Sequence, residues 1–265
     1  MRKNFVKERL RKGEPSVGTW IGIGHPDIPE ILGNIGFDWF VFDMEHGPHS
    51  IEKVQNLMQA MSTSPTLPLV RVPWNDMVMI KRALDIGAYG VVIPWVNTKE
   101  DAVYAVKACK YPLHNGLRGC GPRRASNYGF DMEYFDMVDD EILIVVQIET
   151  ETAIKNLDDI FSVEGIDVAF IGPFDLSMSL GCFREFDNPK FTKALETVLT
   201  KAKEAGIAPG IFCGVSNIND YMAKGFQFNA LGGDDDLLIY GCIEALKKVK
   251  GWSPIESAPG AKLIK

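Results

Sequence analysis

Short apolar runs rich in Val, Ile, Leu and Phe alternate along the chain with stretches whose apolar residues recur every three or four positions. The first pattern suits strands buried on both faces, the second amphipathic helices. Strands are predicted at residues 16–22, 38–43, 67–72, 89–94, 142–149, 167–175, 208–212 and 226–231. Helices are predicted at 26–32, 50–61, 76–86, 98–109, 152–161, 189–205 and 218–224, with a last one reaching about Val249. Ser50 and Thr98 are placed as N-caps, and Gly33 and Gly87 as stops. Residues 8–13 read as a charged lead-in, and the tail from Gly251 as irregular. Between 111 and 140 the pattern breaks. Glycines crowd the segment, with Arg118, Arg123 and Arg124 among them, and so long a loop suggests function or an interface. Eight strand–helix units make a (β/α)₈ barrel over one domain, 1–265, the natural α/β fold. A doubly wound open sheet is the runner-up.

The run from Ile142 to Glu149 organises the rest. Its apolar residues give way to Gln147 and Glu149, two apart and so on one face of a strand. A buried strand-end carboxylate is costly unless a metal, an arginine or a proton pairs with it. The next strand region ends at a second acid, Asp175, after Gly172-Pro173-Phe174. Either acid alone could simply cap a helix; the two together favour a site. Strand ends elsewhere supply Asp43 and His46, Arg71, Phe212 and Gly232-Gly233. In a barrel these ends share one rim. Asp43 is placed to orient His46, as a carboxylate does beside a working imidazole. Glu149 and Asp175 offer hard oxygen ligands, which suit Mg²⁺ or Mn²⁺.

Composition narrows the partners. A formal net charge of −7 argues against nucleic acid. No apolar run approaches the ~18 residues of a membrane span. Five scattered cysteines without a CxxC pair read as reduced thiols of a cytoplasmic protein. Gly22-Ile23-Gly24 lacks the third glycine of a dinucleotide fingerprint. The acids Asp234, Asp235 and Asp236 argue against a phosphorylated substrate, and could equally satisfy a helix N-terminus.

Taken in order, Phe42-Asp43-Met44-Glu45-His46-Gly47, Val70-Arg71-Val72-Pro73, Leu84-Asp85-Ile86-Gly87-Ala88, Gly116-Leu117-Arg118-Gly119, Arg124-Ala125-Ser126, Gln147-Ile148-Glu149, Ile171-Gly172-Pro173-Phe174-Asp175-Leu176-Ser177 and Leu231-Gly232-Gly233-Asp234 resemble the HpcH/HpaI family of metal-dependent pyruvate aldolases. The resemblance implies a (β/α)₈ barrel, usually hexameric, that cleaves 4-hydroxy-2-oxo acids to pyruvate and an aldehyde through a metal-stabilised enolate. By matching motif, Glu149 and Asp175 would hold the divalent metal (Mg²⁺ or Mn²⁺, with Co²⁺ also considered). His46 would be the general base, acting through water on that metal, with Asp43 behind it. Arg71 and Gln147 would contact the keto oxygen, and Gly172, Pro173 and Phe174 would frame the substrate. Asp85 would reach a neighbouring subunit's site. Alternatives are an acyl-CoA lyase and a keto-acid-binding barrel without turnover. Phe174 and Phe212 are expected to flank the metal and to favour short aldehydes.

Overall fold

A computed structural model describes residues 2–263 of the 265-residue chain. Eight parallel strands close in sequence order: β1 Ser16–Ile21, β2 Trp39–Asp43, β3 Leu67–Arg71, β4 Gly90–Ile93, β5 Leu143–Gln147, β6 Val168–Ile171, β7 Ala208–Cys213 and β8 Phe228–Gly233. The helices are α1 Phe5–Arg11, α2 Asp27–Leu32, α3 Ile51–Ala60, α4 Met77–Asp85, α5 Lys99–Cys109, α6 Tyr134–Glu141, α7 Glu151–Lys155, α8 Leu157–Phe161, α9 Pro173–Ser179, α10 Pro189–Glu204, α11 Ile218–Lys224 and α12 Asp234–Lys247. The predicted barrel is thus present. No helix among the described residues is long and apolar enough to cross a membrane.

Both faces of the strands are apolar because each face meets a different core. Leu143 and Val145 of β5 point inward with Trp39, Val41, Leu67, Leu69 and Phe170. Ile144 and Val146 point outward against the helices with Phe40, Phe42, Val70 and Ile171. This double burial produces the unbroken apolar runs. It also sets a parity. Extending the inward positions by two gives Asp43 after Val41, Arg71 after Leu69 and Gln147 after Val145. β2 and β3 pair in register, so Asp43 lies beside Arg71 at the same level. The polar rim is therefore the top layer of the barrel interior. Gly18 has no side chain because a Cβ there would lie 2.1 Å from the ring of Trp39, which stacks on Phe228 at 3.9 Å between centroids.

Several elements differ from the sequence reading. A helix, α1, starts ahead of the charged lead-in and runs into it, and its Val6 and Leu10 join the interior core. Its Lys7 donates to the Ile142 carbonyl at 2.7 Å and pairs with Asp167 at 3.0 Å. The region 111–140 contains α6 and two 3-10 turns. Arg118, fully buried, holds that segment to α4 by donating to Asp85 at 2.9 Å and to the Tyr134 hydroxyl at 3.0 Å. Its guanidinium also lies 4.6 Å from the Tyr111 ring centroid. The helix predicted at 152–161 is two short helices meeting at Asn156. β5 ends at Gln147, so Glu149 follows the strand; β6 ends at Ile171, and Asp175 belongs to the first turn of α9. β8 begins at Phe228, two residues later than predicted.

Candidate active site

The C-terminal ends of the strands surround a cavity of about 680 Å³. Asp43, His46, Arg71, Gln147, Gly172, Pro173, Phe174, Asp175 and Phe212 all line it. Glu149 lies beneath that surface, 2% exposed. Asp85 stands elsewhere in the chain, on α4 against Arg118.

Arg71 is the most constrained cation. Its Nε and Nη2 donate to the two carboxylate oxygens of Asp43 at 2.9 and 2.7 Å. Its Nη1 lies 2.9 Å from Glu45 Oε2, a charge contact without hydrogen-bond alignment. Its Cζ is 5.8 Å from the Trp20 ring centroid. Burial pushes the Asp43 carboxyl upward, but Arg71 and the N–H groups of Glu45 and His46 outweigh it, and the group sits below the usual range. Asp43 therefore fixes Arg71 and the backbone of the 43–46 turn. No hydrogen bond joins it to the His46 ring, so its expected place behind the imidazole is corrected. Among the described residues that ring has no protein hydrogen-bond partner, and it faces the open cavity.

The carboxylates are the other half. Glu149 Oε1 accepts the Trp95 N–H at 2.8 Å, and Oε2 accepts from Gln147 Nε2 at 2.5 Å. Trp95 holds a left-handed backbone, φ 57°, to present that N–H. The Gln147 and Glu149 side chains therefore meet, although Glu149 lies beyond the end of β5 and not on its face. A Cβ at Gly172 would come within 3.0 Å of Glu149 Oε2, so a glycine leaves that oxygen room. Burial raises Glu149 to about 7, with the charges of Glu45 and Asp175 adding to it. Burial likewise raises Glu45 to about 7, with Asp43 and Asp175 contributing and Arg71 opposing. Glu45 occurs in a motif the sequence reading quoted but received no role there. Trp20, Met178 and Phe183 of the lining were also missed. Trp20 could have been found from the inward parity of β1, because it follows Gly18 by two.

These donors fit a hard divalent cation. Glu149, Glu45 and Asp175 are near enough for their charges to act on one another, and the buried Gln147 Oε1 has no donor. Among the described residues no group of three or more His, Cys, Asp or Glu forms a metal cage. Two carboxylates leaving further positions to water or substrate oxygens match how Mg²⁺ is usually held. The acids after β8 are partly structural: Asp234, buried, accepts from the N–H groups of Gly22 and Ile23, and Asp236 from that of Gly233.

The family described as HpcH/HpaI aldolase/citrate lyase matches residues 16–240. The chain belongs to this family. A relative from Salmonella typhimurium, named 4-hydroxy-2-oxo-heptane-1,7-dioate aldolase, is 38% identical over 96% of this chain and 99% of its own. An HpcH/HpaI protein of Burkholderia cenocepacia superposes with a TM-score of 0.90 at 32% identity, covering 94% of this chain and 100% of that one. The HpcH/HpaI aldolase of Desulfitobacterium hafniense gives 0.82 at 30%, covering 94% and 98%. This HpcH/HpaI chain is accordingly a lyase of the aldolase type on a (β/α)₈ barrel.

Proposed function

We propose that this enzyme cleaves 4-hydroxy-2-oxo acids to pyruvate and an aldehyde, with a divalent cation held by Glu149 and Asp175. One observation carries the reading: carboxylates, an unpartnered amide oxygen and a clamped arginine converge at one end of the barrel. The substrate class comes from the Salmonella relative's name, which describes a 4-hydroxy-2-oxo acid.

The cation, when bound, supplies a Lewis acid that draws electron density toward the 2-oxo group. Arg71, held by Asp43 and Glu45, presents fixed positive charge where the enolate oxygen develops. His46 stands free at the cavity wall to take the proton of the 4-hydroxyl. The C3–C4 bond then breaks, the aldehyde leaves, and C3 gains a proton to complete pyruvate. Gln147 fixes the orientation of Glu149, and Gly172 keeps that carboxylate accessible. Asp85 would serve a neighbouring subunit. Exposed Leu113, Phe130 and Met132 in the 111–140 segment, and Leu238 and Ile239 on α12, support a homo-oligomer, with a hexamer the expected form. Five free thiols support a reducing cytoplasm, and one barrel serves as the whole domain.

Pyruvate release from a panel of 4-hydroxy-2-oxo acids tests this reading. Activity should vanish with a chelator and return with Mg²⁺, Mn²⁺ or Co²⁺. Full activity after chelation, or a borohydride-trapped lysine–pyruvate adduct, would refute it.

A further inference from the structure

Beside the main cavity lies a second, of about 450 Å³, sharing Pro173, Phe174, Phe212 and Asp236 with it. Phe186, Val215, Tyr221, Leu231, Leu237 and Tyr240 supply its other large walls. We infer that this annex receives the tail of an uncharged, apolar aldehyde, an inference that rests on the aldolase reading above.

Three observations carry it. The annex adjoins the reacting end, because Phe174 and Phe212 line both spaces. The two rings are therefore a shared wall, and a tail passing them meets further room beyond. Its walls are also apolar and, in the single chain, partly uncovered. Phe174 is 51% exposed, Val215 44% and Tyr240 48%, and Phe174 joins Phe186 in an edge contact at 5.8 Å. Hydrocarbon placed there removes both surfaces from water.

The third observation is charge. Among the described residues no Lys, Arg or His lines the annex, and its acid is Asp236. Asp235 joins Asp236 on the main cavity wall. The guanidinium lining the main cavity, Arg71, already answers Asp43 and Glu45. Cleavage of a 4-hydroxy-2-oxo-heptane-1,7-dioate, the compound in the Salmonella relative's name, releases an aldehyde ending in a carboxylate. In this chain that carboxylate would approach Asp235 and Asp236, and among the described residues no lysine or uncommitted arginine lines either cavity to meet it. A neutral alkyl or aryl tail meets no such opposition.

Aldol addition reads the preference directly. The pyruvate methyl carbon gives up a proton, its electron pair forms the bond to the aldehyde carbon, and the aldehyde oxygen takes a proton to become the 4-hydroxyl. Pentanal and 4-oxobutanoate, similar in length, should be compared as acceptors with pyruvate and Mg²⁺. The kcat/KM for pentanal should exceed that for 4-oxobutanoate by roughly tenfold or more, the scale of one uncompensated charge near a protein surface. Val215→Lys, which places a cation in the annex, should cut that ratio by about tenfold. Ratios within one preparation cancel any loss of folded enzyme. Preference for 4-oxobutanoate in the wild type would overturn the inference, as would a ratio unmoved by Val215→Lys. Deuterium uptake from D₂O into the pyruvate methyl, measured without aldehyde, separates the two levels. Uptake with the wrong aldehyde preference defeats only the annex. No uptake and no adduct with either aldehyde defeats the aldolase reading and the annex with it.

Discussion

Asp43→Asn is the most informative single change to the clamp on Arg71. The wild-type carboxylate receives two charge-assisted bonds, at 2.9 and 2.7 Å, from an arginine that is itself 8% exposed. Asparagine keeps the shape and one acceptor oxygen, but its amide turns a donor toward the guanidinium. Bonds to a charged group contribute about 1.5–3 kcal/mol each, and neutral ones about 0.5–1.5 kcal/mol. Losing one and weakening the other gives a destabilisation of roughly 2–3 kcal/mol, with Glu45 at 2.9 Å holding the arginine against a larger loss. In a chain of this size that lowers Tm by roughly 4–12 °C. Catalytic loss should come through Arg71. Double-mutant cycles on kcat/KM should therefore find coupling of about 2 kcal/mol between Asp43→Asn and Arg71→Lys, and little between Asp43→Asn and His46→Ala. Strong coupling to His46 with additivity toward Arg71 would return Asp43 to the imidazole and refute the argument.

Three further outcomes follow from the same geometry. His46→Ala should lose roughly two to four orders of magnitude in rate, the range of general acid–base catalysis, and near-wild-type cleavage would contradict its role. Without cation, the chain should become less stable as pH rises from about 4.5 to 7. There the unfolded glutamates have lost protons that folded Glu45 and Glu149, both raised to about 7, still hold. At about 1.4 kcal/mol per pH unit the Glu149 contribution alone is about 3 kcal/mol, and saturating Mg²⁺ should flatten the fall. Denaturant titrations at a series of pH values check this, and stability rising through that window would contradict it. Arg118→Met should cost roughly 2–4 kcal/mol by leaving Asp85 and the Tyr134 hydroxyl without their cation, so an unchanged Tm would show that Arg118 does not secure the 111–140 segment.

The barrel was legible because its strands are apolar on both faces, which few other arrangements require. The helices that escaped notice had weak patterns for physical reasons. α1 carries Lys7, Glu8, Arg9 and Arg11 and signals its contact through only Phe5, Val6 and Leu10. α9 starts on a proline inside a motif that reads as strand, so Asp175 moved from strand end to helix turn. At the site, residues on the inward parity were readable: Asp43, Arg71 and Gln147 each continue an apolar series. Glu45 was not, because it follows β2 in a turn where no alternation fixes its direction. The partner of Asp43 was misread for a related reason. His46 is near in sequence, but Arg71 is its in-register neighbour across β2 and β3, and pairing between strands decides the contact.

The central claim is that Glu149 and Asp175 hold a divalent cation at which pyruvate is activated. Mn²⁺ binding followed by electron paramagnetic resonance, alongside deuterium uptake into the pyruvate methyl, tests it directly. Wild-type protein should bind one Mn²⁺ per chain and exchange the methyl protons only when it is bound. Glu149→Gln and Asp175→Asn should each lose both properties while keeping the wild-type circular dichroism spectrum. Mn²⁺ binding and exchange undiminished in both variants would contradict the account.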